Sequence, residues 1–214
     1  MDRLQRYAPL SGLAFALLFA IANMLWGFEQ PAIGADPEEA LDFYEDTSIR
    51  ILIGGSLSLV SIVFLAWFGS ILRDALSDAE SDHGTGLPLT AFGGVLLVCA
   101  VGLAAETINM VGAVRAEDDG GLSPGAAQLY LDLSSAFGYW AAGAALAVVT
   151  ASTALVAIRT GRIMPRWLAW ATLILAAALL TPVLITTAGK FAFSLPLLWF
   201  TAISISIYRQ RLSG

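Results

Sequence analysis

The chain is short of nearly everything from which an aqueous active site is assembled. Its 214 residues include one cysteine, Cys99, one histidine, His83, and one lysine, Lys190. A lone cysteine forms no intramolecular disulfide. One Cys in an apolar run and one His in a polar loop give no metal-ligand spacing and no Cys/His or Ser/His/Asp arrangement, so no metal, cofactor or catalytic residue is assigned. Lys190 stands at a helix end, not at the desolvated depth a retinal Schiff base requires. Basic residues are scarce as well, 11 against 17 acidic for a net charge of −6, which removes nucleic acid as a partner. Charged residues of both signs reach only 13%, against about 25% in a soluble domain. With 57% hydrophobic residues and a mean hydropathy of +0.76, an ordinary soluble globule and a disordered chain are both excluded.

What the sequence does have is long apolar runs, spaced as a membrane demands. Spans are predicted at about 7–28, 49–72, 87–112, 124–158, 165–188 and 191–208, each long enough to cross about 30 Å of hydrocarbon. The fold expected over 1–214 is a single all-α integral membrane domain, a bundle of six transmembrane helices. Ser123 is placed to cap the fourth helix with Pro124 at its first position, and Pro182 should kink the fifth. Gly189-Lys190 leaves only a tight turn between the fifth and sixth. The start, with basic residues in Met1–Arg6, apolar Leu13–Ala20 and small residues at Ala20-Ile21-Ala22, has features of a signal peptide. Because apolarity continues to Phe28 and five spans follow, an uncleaved first helix is the preferred reading of residues 1–22.

The arginines set the orientation. With the N-terminus inside, Arg3, Arg6, Arg73, Arg159, Arg162, Arg166, Arg209 and Arg211 face the cytoplasm, and only Arg50, Arg115 and Lys190 face outward. Both termini are therefore expected in the cytoplasm. Trp67, Trp167 and Trp170 then fall at the inner interface, and Trp26 and Trp140 at the outer one. The outer loop 29–48 carries seven carboxylates and is expected to be solvated, with at most a short helix capped by Asp36 and begun by Pro37. The inner loop 73–86 reads as a plain connector.

Polar residues recur at helical spacing inside the apolar runs, where lipid offers them no partner. The stripes of small and polar residues are Ala16, Ala20, Asn23, Gly27 and Gln30 in the first helix; Arg50, Gly54, Ser58 and Ser61 in the second; Cys99, Gly102, Glu106 and Asn109 in the third; Gln128, Asp132, Ser135 and Tyr139 in the fourth; and Lys190, Ser194, Thr201 and Ser204 in the sixth. Counting about 20 residues from each inner end places Glu29, Arg50, Glu106 and Lys190 near the outer hydrocarbon boundary, with Asp132 about two turns above it. The membrane centre holds no acid or base, which speaks against a proton pump or voltage sensor. Glu106, the most deeply placed acid, is expected to contact Arg50, Asn109 or Lys190. A fourth-helix stripe, Gly143, Ala147 and Ala151, is expected to pack on a neighbouring helix.

The turn Arg159-Thr160-Gly161-Arg162-Ile163-Met164-Pro165-Arg166-Trp167, taken with Phe137-Gly138-Tyr139, resembles small six-span integral membrane proteins of bacteria, many of them actinobacterial, that carry a domain of unknown function. The resemblance spans nearly the whole chain. It implies a multi-pass protein of the bacterial plasma membrane and carries no catalytic residue across. The function expected is non-enzymatic: binding or passage of a small polar or amphipathic molecule, a lipid included, at an outward-facing pocket drawn from Asn23, Glu29, Arg50, Glu106, Asn109, Asp132, Tyr139 and Lys190. The alternatives are an accessory or packing subunit for a partner membrane protein and an intramembrane lipid-processing enzyme.

Overall fold

The computed structural model describes residues 7–80, 84–118, 121–181 and 194–213. The described residues form helices and no strand. In chain order they are α1 (Ala8–Trp26), α2 (Pro37–Ala79), α3 (Leu87–Glu117), α4 (Pro124–Thr160), α5 (Arg166–Leu179) and α6 (Ser194–Ser213). The first four, of 19, 43, 31 and 37 residues, are long and apolar enough to cross a membrane, as a multi-pass helical membrane protein requires. Helices α5 and α6 flank residues 182–193. The Pro182 kink, the Gly189-Lys190 turn and the adjoining parts of the expected fifth and sixth spans lie outside the described residues.

Local chemistry accounts for the helix starts. Ser123 Oγ accepts from Ala126 N at 3.4 Å ahead of Pro124, as expected. Asp36 Oδ1 accepts from Glu38 N at 3.0 Å ahead of Pro37, and Glu38 and Glu39 set negative charge against the positive end of the helix dipole. The helix begun there is not short. It continues unbroken to Ala79, so the expected outer loop 29–48 is loop only through Asp36, and the expected connector 73–86 is helical through its first half. Nothing after Pro37 breaks a helix, and one buried stripe keeps its phase throughout: Ala40, Tyr44, Thr47, Ile51, Gly54, Ser58, Ser61, Leu65, Phe68, Leu72 and Leu76. The carboxylates of this extension are solvated, as expected, while its other face is packed. Phe43, Tyr44 and Ile51 meet Trp26, Ala113, Ala127 and Leu131 in a hydrophobic cluster at the acidic end of the bundle.

Helix α2 lies between α1 and α3, α3 meets α4, α4 meets α5, and α6 returns to α1. A hydrogen bond from Trp199 Nε1 to Thr172 Oγ1 (3.2 Å) joins α6 to α5. Tyr7 stacks on Tyr208 with ring centroids 6.2 Å apart, so both described chain ends share the arginine end of the bundle. Gly54 admits α1 at close range: a Cβ there would lie 2.7 Å from Trp26 Nε1 and 2.9 Å from the Ala22 carbonyl. In the α4 stripe, Gly143 and Ala147 are buried. Trp67, Trp140, Trp167 and Trp170 are exposed as an aromatic belt would be, but Trp26 is not a belt residue. It is 7% exposed, because the α2 extension and Gly54 enclose it.

Candidate functional site

Helical periodicity directs one face of each of α1, α3 and α4 toward a common space. On α1 the face is Phe15, Phe19, Asn23 and Trp26, followed by Gln30 just beyond the helix; on α3 it is Val98, Gly102, Glu106 and Asn109; on α4 it is Ser135, Gly138, Tyr139, Ala142 and Leu146. With Ile62 and Leu65 of α2 and Leu197 and Phe200 of α6 these residues enclose a cavity of about 120 Å³. Its composition changes along the bundle. Toward the acidic end the wall is polar (Asn23, Gln30, Glu106, Asn109, Ser134, Ser135, Tyr139), and toward the middle it is aliphatic and aromatic (Phe15, Phe19, Ile62, Leu65, Val98, Leu146, Phe200).

Part of the α4 wall is a π turn over Phe137–Ala141, where the Ala142 N–H reaches back to the Phe137 carbonyl. Widened turns of this kind recur at functional sites in helical proteins. Here the turn sets Gly138 and the half-buried Tyr139 on the cavity wall, and a Cβ added at Gly138 would meet nothing within 4 Å.

The polar wall is only partly satisfied internally. Gln30 Nε2 donates to Ser135 Oγ (3.0 Å), and Asn23 Nδ2 donates to the Phe19 carbonyl (2.9 Å). Asn109 is 1% exposed; its Oδ1 accepts from Tyr44 Oη (2.9 Å), while its Nδ2 has no hydrogen-bond partner among the described residues. Glu106 is 7% exposed, and its Oε2 is likewise without a partner. That oxygen faces α2, where a Cβ at Gly55 would lie 3.6 Å away. Ser58 also faces the Glu106 carboxyl without closing a well-formed hydrogen bond, and the Trp26 Nε1 donor next to Gly54 is unpaired too. These unpaired atoms have almost no accessible surface: Glu106 Oε2 is turned to Gly55 and Ser58 and Trp26 Nε1 to Gly54, so both sit at the α2 contact behind the cavity wall.

Of the residues read from the sequence, Asn23, Glu106, Asn109 and Tyr139 come together on this wall. Glu29 and Arg50 do not line the cavity. They form a bidentate pair at its edge, 2.6 and 2.7 Å, with side chains 54% and 42% exposed respectively. Of the three partners expected for Glu106, Arg50 is not the one: pairing with Glu29 keeps both charges hydrated, whereas reaching Glu106 would bury the guanidinium. Asp132 Oδ1 accepts from Gly34 N (2.8 Å), and Gln128 Nε2 donates to the Ala35 carbonyl (3.0 Å), so both fasten the 31–36 connection to α4. Lys190 lies outside the described residues. Trp26, Gln30, Ser58 and Gly138 were not chosen from sequence as site residues. Gln30 and Ser58 stand on the polar stripes, but nothing in the local sequence announces the π turn that brings Gly138 to the wall.

Ser48 donates to Glu117 Oε1, which ties α2 to α3 away from the cavity. Among the described residues no three His, Cys, Asp or Glu side chains are grouped to hold a metal ion. No family model, curated protein or solved structure matches the chain.

Proposed function

We propose that this chain is a six-span protein of a bacterial plasma membrane, with both termini in the cytoplasm, that binds or passes a small polar or amphipathic molecule at an outward-facing pocket around Glu106. The eight-to-three arginine and lysine bias supports the orientation. The observation that carries the binding reading is the cavity itself, whose wall changes from aliphatic and aromatic side chains to Asn23, Gln30, Glu106, Asn109 and Tyr139 toward the acidic end. The described residues that line the cavity include no His, Cys or Lys, so binding is favoured over chemistry. An accessory role in a membrane complex is the second reading, favoured by a cavity below the ~300 Å³ typical of small-molecule sites.

The test is a thermal-shift screen of cations, polyamines and lipids on the purified protein and on Glu106→Gln. Binding predicts stabilisation that grows with the logarithm of ligand concentration in the native protein and is lost in the variant. If no compound stabilises the native chain more than Glu106→Gln, the accessory reading takes its place.

A further inference from the structure

At the opposite end of the bundle from the pocket's polar wall, the turn between α4 and α5 is held in a costly shape. Ile163 has a φ of +73°, a left-handed conformation that a β-branched residue rarely adopts. Such a conformation persists only where its surroundings over-determine it. Here Ile163 and Met164 belong to the buried core, together with Leu72, Ala169 and Ile207. Ser206 Oγ of α6 donates to the Ile163 carbonyl, and the Met164 N–H donates to the Arg162 carbonyl (2.9 Å). Thr172 Oγ1 of α5 meets Met164 Sδ at 3.8 Å. The turn is anchored from inside, so the positions from which it sends side chains outward are fixed as well.

What it sends outward is positive charge beside aromatic surface. Arg159 ends α4, Arg162 stands in the turn and Arg166 begins α5; all three are exposed. Arg209, one helical turn beyond Ser206, is exposed on the side of α6 that meets Ile163. None of these guanidiniums forms an ion pair among the described residues, although Asp74 and Asp78 of α2 are exposed at the same end. Trp167 and Trp170 follow, 71% and 55% exposed, and Ile174 continues their stripe along α5. Tryptophans at the head of an exposed apolar stripe mark the headgroup level of a bilayer, so the arginines beside them lie among lipid phosphates. Orientation by positive charge requires arginines in this connection but no particular backbone shape. A fixed turn that presents unpaired guanidiniums next to interfacial rings suits a phosphodiester, which accepts from several N–H donors at once.

We infer that this turn is a docking surface for an anionic phospholipid of the surrounding bilayer, its phosphodiester held by Arg162 and Arg166 with Arg159 and Arg209 beside them, and its glycerol and upper acyl region lying against Trp167 and Trp170. The arginines select the negative headgroup, and the tryptophans set its depth.

The experiment titrates phosphatidylglycerol and phosphatidylcholine of matched acyl chains onto the full chain in detergent and reads bound lipid by native mass spectrometry. An arginine at a membrane surface is worth about fivefold in affinity for anionic lipid. With several arginines at the turn, the first phosphatidylglycerol is expected to bind at least about tenfold more tightly than phosphatidylcholine. Arg162→Gln and Arg166→Gln should each weaken it by about fivefold, with phosphatidylcholine unaffected. Arg73→Gln removes the same charge from an exposed site on α2 at the same end, and should change phosphatidylglycerol binding by less than about twofold. Should either turn variant fail to fold, Arg159→Gln takes its place with the same expectation. Equal binding of the two lipids would overturn the docking surface. So would an equal loss in Arg73→Gln and the turn variants, which would leave the turn's charge with orientation as its only task. Displacement of the lipid by sn-glycerol 3-phosphate at equal concentration would overturn the lipid as occupant in favour of a soluble phosphate.

Discussion

Two glycine-to-alanine changes test whether the packing between α1 and α2 and the open space at the π turn are as described. At Gly54 an added methyl would stand 2.7 and 2.8 Å from the Trp26 ring and 2.9 Å from the Ala22 carbonyl. The last contact is backbone, so α1 must retreat by roughly half an ångström before ordinary contact distances return. Overpacking of this kind costs about 1–3 kcal/mol. At Gly138 the same methyl meets nothing within 4 Å and has only the gain from replacing glycine inside a helix, about 0.5–1 kcal/mol. Both changes replace Gly by Ala within a helix, so the propensity gain largely cancels in the comparison. Gly54→Ala should therefore be less stable than Gly138→Ala by about 1–3 kcal/mol, measured by equilibrium unfolding in mixed micelles. Gly54→Val should widen the gap. Equal stability of the two alanine variants would refute the close approach at Gly54, and a destabilised Gly138→Ala would refute the open space on the cavity wall.

Three further outcomes are expected. In a chain freed of its buried native Cys99, cysteines at the exposed positions Glu39 and Gly121 should react with an impermeant thiol reagent on intact cells, whereas those at Asp78 and Gln210 should not; labelling of the second pair from outside would reverse the orientation. Tyr44→Phe strips Asn109 Oδ1 of its donor in a fully buried setting and should cost about 1–3 kcal/mol by the same unfolding assay, while Phe substitution of the exposed Tyr7 should cost little. Arg50→Gln breaks an exposed pair and should change stability barely measurably, with the Glu106-dependent thermal shift intact; loss of that shift would mean that Arg50 serves the pocket after all.

Hydropathy and helix-start chemistry are local functions of sequence, and what depends on them could be read directly. The apolar runs announce a multi-pass helical protein because no other fold tolerates so few charges over such lengths. Asp36-Pro37 and Ser123-Pro124 begin helices because a capping oxygen and a proline lacking an N–H satisfy the first turn wherever they occur. The polar stripes placed Asn23, Glu106, Asn109 and Tyr139 correctly on inward faces, since lipid accommodates them on no other.

Partner choice and helix continuity were decided by the tertiary structure. Helix α2 runs through residues 37–48 because its apolar face there finds Trp26, Ala113 and Leu131, which come from three other helices. Arg50 turns to Glu29, 21 residues away, because hydration remains available to both, so it is not the partner of Glu106. The opening before Gly138 depends on a π turn and on how five helices diverge around it. A sequence states which side chains need company; only the packed bundle determines which partners they find, and it sets Glu106 on the wall of a cavity with its Oε2 turned to α2.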